Sequence, residues 1–328
     1  MRAVKGLKGS AHVVELPDPV VQPQFVKVKT DYSAVSVGTE LLMIRVNEDA
    51  DLGYSASGIV EEVGEGVTHV VPGQRVACYG VPTHRQFLHV PKHLVVPIPD
   101  GVRAEEAAFV GIGAIAIHAL RQADLNFGET IIVVGLGILG QIIASIAHAS
   151  NYRVIGLEPI EERCLMLESI GATACRTKEE LQAAIESDPF CKGADAVLLC
   201  ASNREHSMID DAIDWLRDRG RVVIVGDTGT EFNRDLLFMK EASIHISRAG
   251  GPGRYEYAYE KQGIDYPIGY VRWTEGRNMY EFLRMLADKR IDMKLLIRNE
   301  CALEDLPAMY LKCSEMPQQM MGIVVNYA

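Results

Sequence analysis

What the sequence lacks narrows its class first. Its seven cysteines are Cys78, Cys164, Cys175, Cys191, Cys200, Cys301 and Cys313; no two form a CxxC, and the number is odd. A disulfide framework and a cysteine-based zinc knuckle are therefore not expected, and a reducing cytoplasm is. Basic residues are scarce beside acidic ones, 33 against 44, and the formal net charge of −11 argues against nucleic acid or an anionic membrane as partner. No apolar stretch follows the charged start Met1-Arg2-Ala3-Val4-Lys5-Gly6-Leu7-Lys8, so no secretory leader is expected there. The longest apolar run, Ile131 to Ala147, is interrupted by Gly135, Gly137, Gly140 and Gln141. That fits a strand, turn and helix better than a membrane span. There is no fixed-period repeat and no low-complexity segment. Apolar residues run through the whole chain, which argues against disorder.

What is present reads as two domains, since 328 residues exceed the roughly 100–200 of a single one. Residues 1–100 read as short strands with little helix. Val26 to Thr30 and Gly58 to Val63 alternate apolar with polar residues, and Gly or Pro turns bound them. From about Ala104 the texture changes. Glu105 to Gln122 reads as helix, Thr130 to Val134 as a buried parallel strand, and Gly140 to Ser150 as helix. Arg153 to Glu158, Ala196 to Cys200 and Arg221 to Val225 read as further strands, with helices at Glu161 to Ile170 and Ile209 to Leu216. This alternation predicts a doubly wound parallel sheet. Lone Trp215 falls on a helix face and is expected in the core. After Ala249 the pattern breaks into a segment rich in Gly, Tyr and Arg. A helix returns at Met279 to Lys289, and the closing strand Gly322 to Tyr327 is expected to fold back into the first domain.

Gly135-Leu136-Gly137-Ile138-Leu139-Gly140 follows a strand and opens a helix, the setting a dinucleotide fingerprint requires. Gly135 permits a tight turn, Gly137 lets backbone approach a pyrophosphate, and Gly140 lets helix pack on strand. The helix start, with Ile138 and Leu139, offers amides and a positive dipole to phosphate. Glu158, 23 residues after Gly135, stands at the spacing of a ribose carboxylate, which repels a 2′-phosphate. NAD is thus expected over NADP. Arg163, the nearest basic residue beyond Glu158, and Cys200, Ala201 and Gly226, at the ends of later strands, complete the expected cofactor set. A plain glycine turn with a surface glutamate is the bland alternative.

Taken together, Gly58-Ile59-Val60-Glu61-Glu62-Val63-Gly64, Val71-Pro72-Gly73-Gln74-Arg75-Val76, Pro97 to Gly101, Gly135 to Gly140 and Gly220 to Gly226 resemble the medium-chain dehydrogenase/reductase family nearly end to end. The resemblance implies an α/β architecture: a GroES-like β domain over residues 1–115 and 275–328, and a doubly wound Rossmann NAD-binding domain over 116–274. It also implies a homodimer built by the Rossmann domains around Glu241 to Ile246. The family's zinc members share three ligand positions, and these fall here at Val37, Tyr54 and Val110 or Gly111. Their four-cysteine lobe is absent, since Cys78 runs almost directly into Val81 to Val90. Catalysis without zinc is therefore expected. A narrower resemblance, to the sugar- and cyclitol-type members and the dehydrogenase half of two-domain oxidoreductases, rests on Ser36 to Glu40 and on Gly251 to Asn278. The bacteriochlorophyllide dehydrogenases of pigment synthesis have a run similar to Ser36 to Glu40.

Hydride transfer without a metal needs a preorganised donor or a general acid/base at the reacting oxygen. The resemblance places Tyr54 at a vacated ligand position as the first candidate, and His84 is expected at the cleft mouth as the second. Thr39 and Glu40 occupy the hydroxyl-relay and acidic positions. Glu40 orients Tyr54, binds a substrate hydroxyl or acts as base, with a lean to the second role. Simple filling of the old metal pocket by Tyr54, and a packing role for His84, are the bland alternatives. His118, His89 and His93 read as structural or surface residues. Arg254, Tyr255, Tyr259, Arg272 and Trp273 suit recognition of a small polyhydroxylated substrate, because aromatic faces stack on CH groups and Arg donates to hydroxyls. The same segment also suits a dimer contact. Three readings compete: an NAD-dependent sugar or cyclitol dehydrogenase, a zinc-free quinone or enoyl reductase, and a binding protein that has lost its chemistry. Glu158 and the Arg/Tyr-rich segment favour the first.

Overall fold

A computed structural model describes residues 1–187, 192–202 and 208–327, so Cys191 lies outside them. The chain divides into two compact units. One comprises Met1–Ala114 together with the chain from Gly250 onward, and the other comprises Ile115–Ala249. The boundary after Ala249 departs from the expected one at 274. The Gly- and Tyr-rich segment packs with the β unit through contacts such as Tyr259 on His93 and Gly250 on Tyr79, where the sequence offered only its loss of α/β alternation.

In the first unit, Phe25–Val35 pairs antiparallel with Ser55–Val63, Phe87–Pro91 and Ile323–Asn326. A seven-stranded sheet forms around it, and a separate three-stranded sheet joins Ser10–Glu15, Arg2–Leu7 and Asp49–Asp51. The closing strand thus returns to the first unit, in a register that sets Val325 opposite Ser33. One helix, Val37–Val46, was not foreseen. Val37, Leu41 and Ile44 recur at i, i+4 and i+7, and the Glu40 carboxylate accepts the Ser36 N–H at 2.9 Å at its start. Buried Ile44 joins Val4, Val35, Leu52, Leu306 and Val325 in that unit's core.

In the second unit the strands run in the order Thr173–Cys175, Arg153–Leu157, Thr130–Val134, Ala194–Leu199, Leu216–Ile224, Ser243–Ile246. All are parallel. The strand order reverses between Thr130–Val134 and Ala194–Leu199, and in such sheets a ligand crevice opens at the carboxyl ends of that pair. Thr130–Val134 is buried throughout, as a β-branched central strand should be. Trp215 is 5% exposed and lies in this unit's core, beside Ile209 and Val222.

Candidate active site

The nucleotide end belongs to the second unit. Gly135 has φ +89°, and a Cβ there would lie 2.8 Å from the Ala201 nitrogen, so only glycine fits the turn. A Cβ on Gly140 would lie 2.0 Å from the Gly135 carbonyl oxygen, which lets the helix Ile138–Ala149 sit directly on the turn. Gly137 faces open space. The first bond into this helix runs from Gln141 N–H to the Gly137 carbonyl, so the amides of Ile138 and Leu139 lie ahead of the helical ladder, free in direction to meet a phosphate. Cys200 and Ala201 both donate their N–H to the Val134 carbonyl, and Gly226 packs on the Cys200 and Ala201 carbonyls. The residues expected from sequence therefore converge on the switch point. Glu158 is only 4% exposed. Its carboxylate accepts the Leu136 N–H at 2.8 Å and the Ile160 N–H at 3.2 Å, with the Arg163 guanidinium 3.5 Å away. Glu158 thus braces the glycine turn, a structural duty the spacing did not reveal.

The reactive side chains belong to the first unit, and there the structure rearranges the expected set. Tyr54 is half-buried. Burial pushes its phenol well above the usual range, and nearby Glu40 adds to this, while a hydrogen bond with the Ser36 side chain opposes it. The phenol is a donor at neutral pH, not a base. Its ring meets that of Tyr79 edge-on, centroids 6.0 Å apart. Tyr79 was not singled out from sequence. It is buried, its hydroxyl accepts the Gly250 N–H at 3.1 Å, and its ring lies over Gly111: a Cβ on Gly111 would be 2.5 Å from Tyr79 Cδ2. Ser55 closes the same corner, accepting the Gly111 N–H at 2.8 Å and donating to the Ala108 carbonyl at 2.5 Å.

These contacts test whether the family's metal fits. Val37 and Val110 offer no donor atom, Gly111 backs onto an aromatic ring, and the Tyr54 phenol is held protonated. No group of three or more His, Cys, Asp or Glu side chains placed to hold a metal occurs among the described residues. The side chains at these positions carry none of the nitrogen, thiolate or carboxylate donors that zinc takes.

His84 is not at a mouth. It and Glu40 are both 0% exposed. Glu40 accepts from His84 Nε2 at 3.0 Å, from the Ser36 N–H at 2.9 Å and from the Tyr310 hydroxyl. Facing a carboxylate, Nε2 carries the hydrogen. Nδ1 pairs with Ser33 Oγ at 2.8 Å, and Ser33 Oγ with the Tyr327 hydroxyl at 2.9 Å. Glu40 is fully enclosed among its three donors, so the lean toward substrate binding is corrected: a carboxylate sealed in this way holds Ser36, and through it Tyr54. Thr39 is exposed, and its Oγ1 lies 3.4 Å from Ser36 Oγ.

The recognition set divides. Arg254 lies over the Tyr79 ring at 5.5 Å and the Tyr255 ring at 4.3 Å, next to Tyr54. Tyr255 is 62% exposed. Tyr259, by contrast, is 3% exposed. Its hydroxyl and Thr274 Oγ1 are 3.0 Å apart, and its ring stacks between His93 and Tyr266. Tyr259 is packing, not a substrate contact. Exposed Arg272 covers the Trp273 ring at 5.1 Å. The residues sequence reasoning passed over, Tyr79, Ser33, Ser36, Tyr310 and Tyr327, carried one local signal. Gly80 and Gly111 flank or face Tyr79, and small residues there mark a close approach.

Two family models match the chain: "Alcohol dehydrogenase GroES-like domain" over residues 22–100 and "Zinc-binding dehydrogenase" over residues 139–261. The chain is 25% identical to 2-dehydro-3-deoxy-L-galactonate 5-dehydrogenase of Pseudoalteromonas atlantica, over 93% of both chains. It is also 25% identical to sorbitol dehydrogenase of Halalkalibacterium halodurans, over 94% of both. Among solved structures, an alcohol dehydrogenase from Thermus sp. ATN1 superposes with a TM-score of 0.82 at 20% identity, over 99% of both chains. Galactitol-1-phosphate dehydrogenase from Escherichia coli superposes with a TM-score of 0.79 at 17% identity, over 100% of both. At such identities the superpositions bear on the fold: a GroES-like domain joined to a Rossmann-like α/β domain.

Proposed function

Because the chain belongs to the alcohol dehydrogenase-like medium-chain dehydrogenase/reductase family and is a dehydrogenase acting on CH–OH groups, we propose that it moves hydride between NAD and a secondary alcohol or ketone of a sugar- or cyclitol-like substrate without catalytic zinc. The observation that carries the zinc-free reading is the filled ligand pocket: Val37, Tyr54 and Gly111 at the ligand positions, with the Tyr79 ring against Gly111. The likeness to a sorbitol dehydrogenase supports a polyol substrate class.

A bound nicotinamide supplies or accepts the hydride. The amides of Ile138 and Leu139 and the open face of Gly137 hold the pyrophosphate, and Glu158 accepts from the ribose hydroxyls, which disfavours a 2′-phosphate. Tyr54 donates its phenolic hydrogen to the substrate oxygen as charge develops there. Ser36 donates to that phenol and Thr39 Oγ1 lies 3.4 Å from Ser36 Oγ, where it can donate in turn, so a hydroxyl path leads from Tyr54 to exposed Thr39. Glu40, clamped by His84 and Tyr310, fixes Ser36. The chain works as a homodimer in the cytoplasm on this reading. No helix among the described residues is long and apolar enough to cross a membrane, and the cysteines described are free.

The test is turnover of a panel of polyols, ketoses and enones with NAD(H) and NADP(H), after exhaustive chelation. Oxidation of a polyol with NAD by the chelated protein supports the reading. Preferred reduction of enones with NADPH would transfer the chain to the quinone or enoyl reductases.

A further inference from the structure

The recognition group beside Tyr54 is built around a single guanidinium, and its charge is already taken. Arg254 Nη1 donates to Glu260 Oε1 at 2.6 Å, and the same oxygen accepts the Tyr255 N–H at 2.9 Å. The two side chains are 14% and 11% exposed. The guanidinium is held between the Tyr79 and Tyr255 rings, and Gly80 beneath it is so close that a Cβ there would lie 3.0 Å from Nη1. A second carboxylate stands close by. Glu275 is 0% exposed, and its Cβ would lie 3.2 Å from a Cβ on Gly250, the residue whose N–H the Tyr79 hydroxyl accepts. It lies close enough to raise the affinity of both Arg254 and Tyr79 for their protons.

We propose that this group recognises an uncharged polyol or ketose and excludes sugar acids and sugar phosphates, because Glu260 and Glu275 outnumber the one arginine an anion would need. The proposal deepens the dehydrogenase reading above and rests on it. An anionic group approaching Arg254 would have to displace Glu260 from a partly buried pair and leave that carboxylate without its partner, which costs more than the new contact returns. Hydroxyls meet no such penalty, since they donate to carboxylates and accept from a guanidinium at once. The exposed face of Tyr255 supplies an apolar surface for the CH groups of a sugar.

The experiment uses the NAD-saturated protein, so that the nucleotide phosphate site is occupied. Galactitol, galactonate and inorganic phosphate serve as probes, titrated against a chloride control of equal ionic strength, and the shift in Tm is read. The parent protein should respond to neither galactonate nor phosphate. Glu260→Gln, which keeps the shape and frees the guanidinium, should gain affinity for galactonate by about tenfold or more, the scale of one charge-assisted contact. Glu275→Gln should move affinity in the same direction by less, and it serves as the second variant if Glu260→Gln does not fold. Parent binding of galactonate or phosphate that Arg254→Lys weakens would overturn the proposal. So would two folded variants that gain nothing. These titrations do not depend on turnover: failure of every polyol and ketose to exchange hydride with nicotinamide would count against the dehydrogenase reading alone.

Discussion

Tyr54 shows how a single replacement changes the chemistry of a pocket. A phenol raised well above its ordinary value near 10 keeps its proton as pH rises. The sign matters: the neutral form is the donor, so ketone reduction should hold its rate past the pH at which a free tyrosine would ionise. A reduction rate that falls along a free-phenol titration would contradict this. Tyr54→Phe should lower kcat by about 10²–10⁴-fold and leave the Kd for NAD unchanged, as read by nicotinamide fluorescence. Glu158 supports the Leu136 and Ile160 amides and stands at the proposed ribose position. Glu158→Ala should therefore weaken NAD binding, relax discrimination against NADP and lower Tm together. Weaker NAD binding at constant Tm would show that the brace contributes little.

At the scale of elements, the pocket depends on how closely helix Val110–Ala123 meets the strand Arg75–Tyr79. Gly111 permits that approach, and Gly111→Ala would drive a methyl to 2.5 Å from the Tyr79 ring. Overpacking of this kind costs about 1–3 kcal/mol. The variant should lose stability and kcat while NAD affinity stays constant, because the nucleotide is held in the other unit. The helix Val37–Val46 is tied down in a similar way by Glu40, sealed among Ser36, His84 and Tyr310. Glu40→Gln keeps an acceptor but loses the charge that three donors address. It should cost roughly 1–3 kcal/mol in chemical denaturation. A purely structural role would lower stability alone, whereas control of Tyr54 through Ser36 also lowers kcat at temperatures where the fold is intact.

At the scale of the molecule, the edge strand Ser243–Ile246 leaves an open row of backbone groups. Ile246 is 69% exposed there, and Phe238 and Met239 just before it are 67% and 76% exposed. An unguarded edge with apolar neighbours is suited to pairing with a second copy. Light scattering at micromolar concentration should give a dimer, and Ile246→Lys should shift the mass toward the monomer. A monomeric parent would rule this interface out. Elemental analysis of the purified protein should find no stoichiometric zinc, and one tightly bound zinc per chain would refute the reading of the filled pocket.

The first βαβ stretch of the second unit was legible in the sequence to within a residue or two, because its signals are local. A β-branched run, three glycines and a carboxylate 23 positions after Gly135 define strand, turn, helix and ribose position within one βαβ stretch. Backbone sterics and helix amides act over that short range whatever the rest of the chain does. The non-ligating residues at the metal-ligand positions, Val37, Tyr54 and Val110 or Gly111, were equally visible, since a side chain's identity states which donor atoms it carries. What filled the space was not. Tyr310, on the helix Leu306–Glu315, reaches Glu40 across 270 positions, and Tyr327, just past the closing strand Ile323–Asn326, reaches Ser33 across 294. Only tertiary packing enclosed His84 and Glu40, buried Tyr259 against His93 and Tyr266, and set the Tyr79 ring against Tyr54 and Arg254. Burial and hydrogen-bond partnership belong to the folded chain as a whole, and a residue's type does not state which neighbours will take up its bonds.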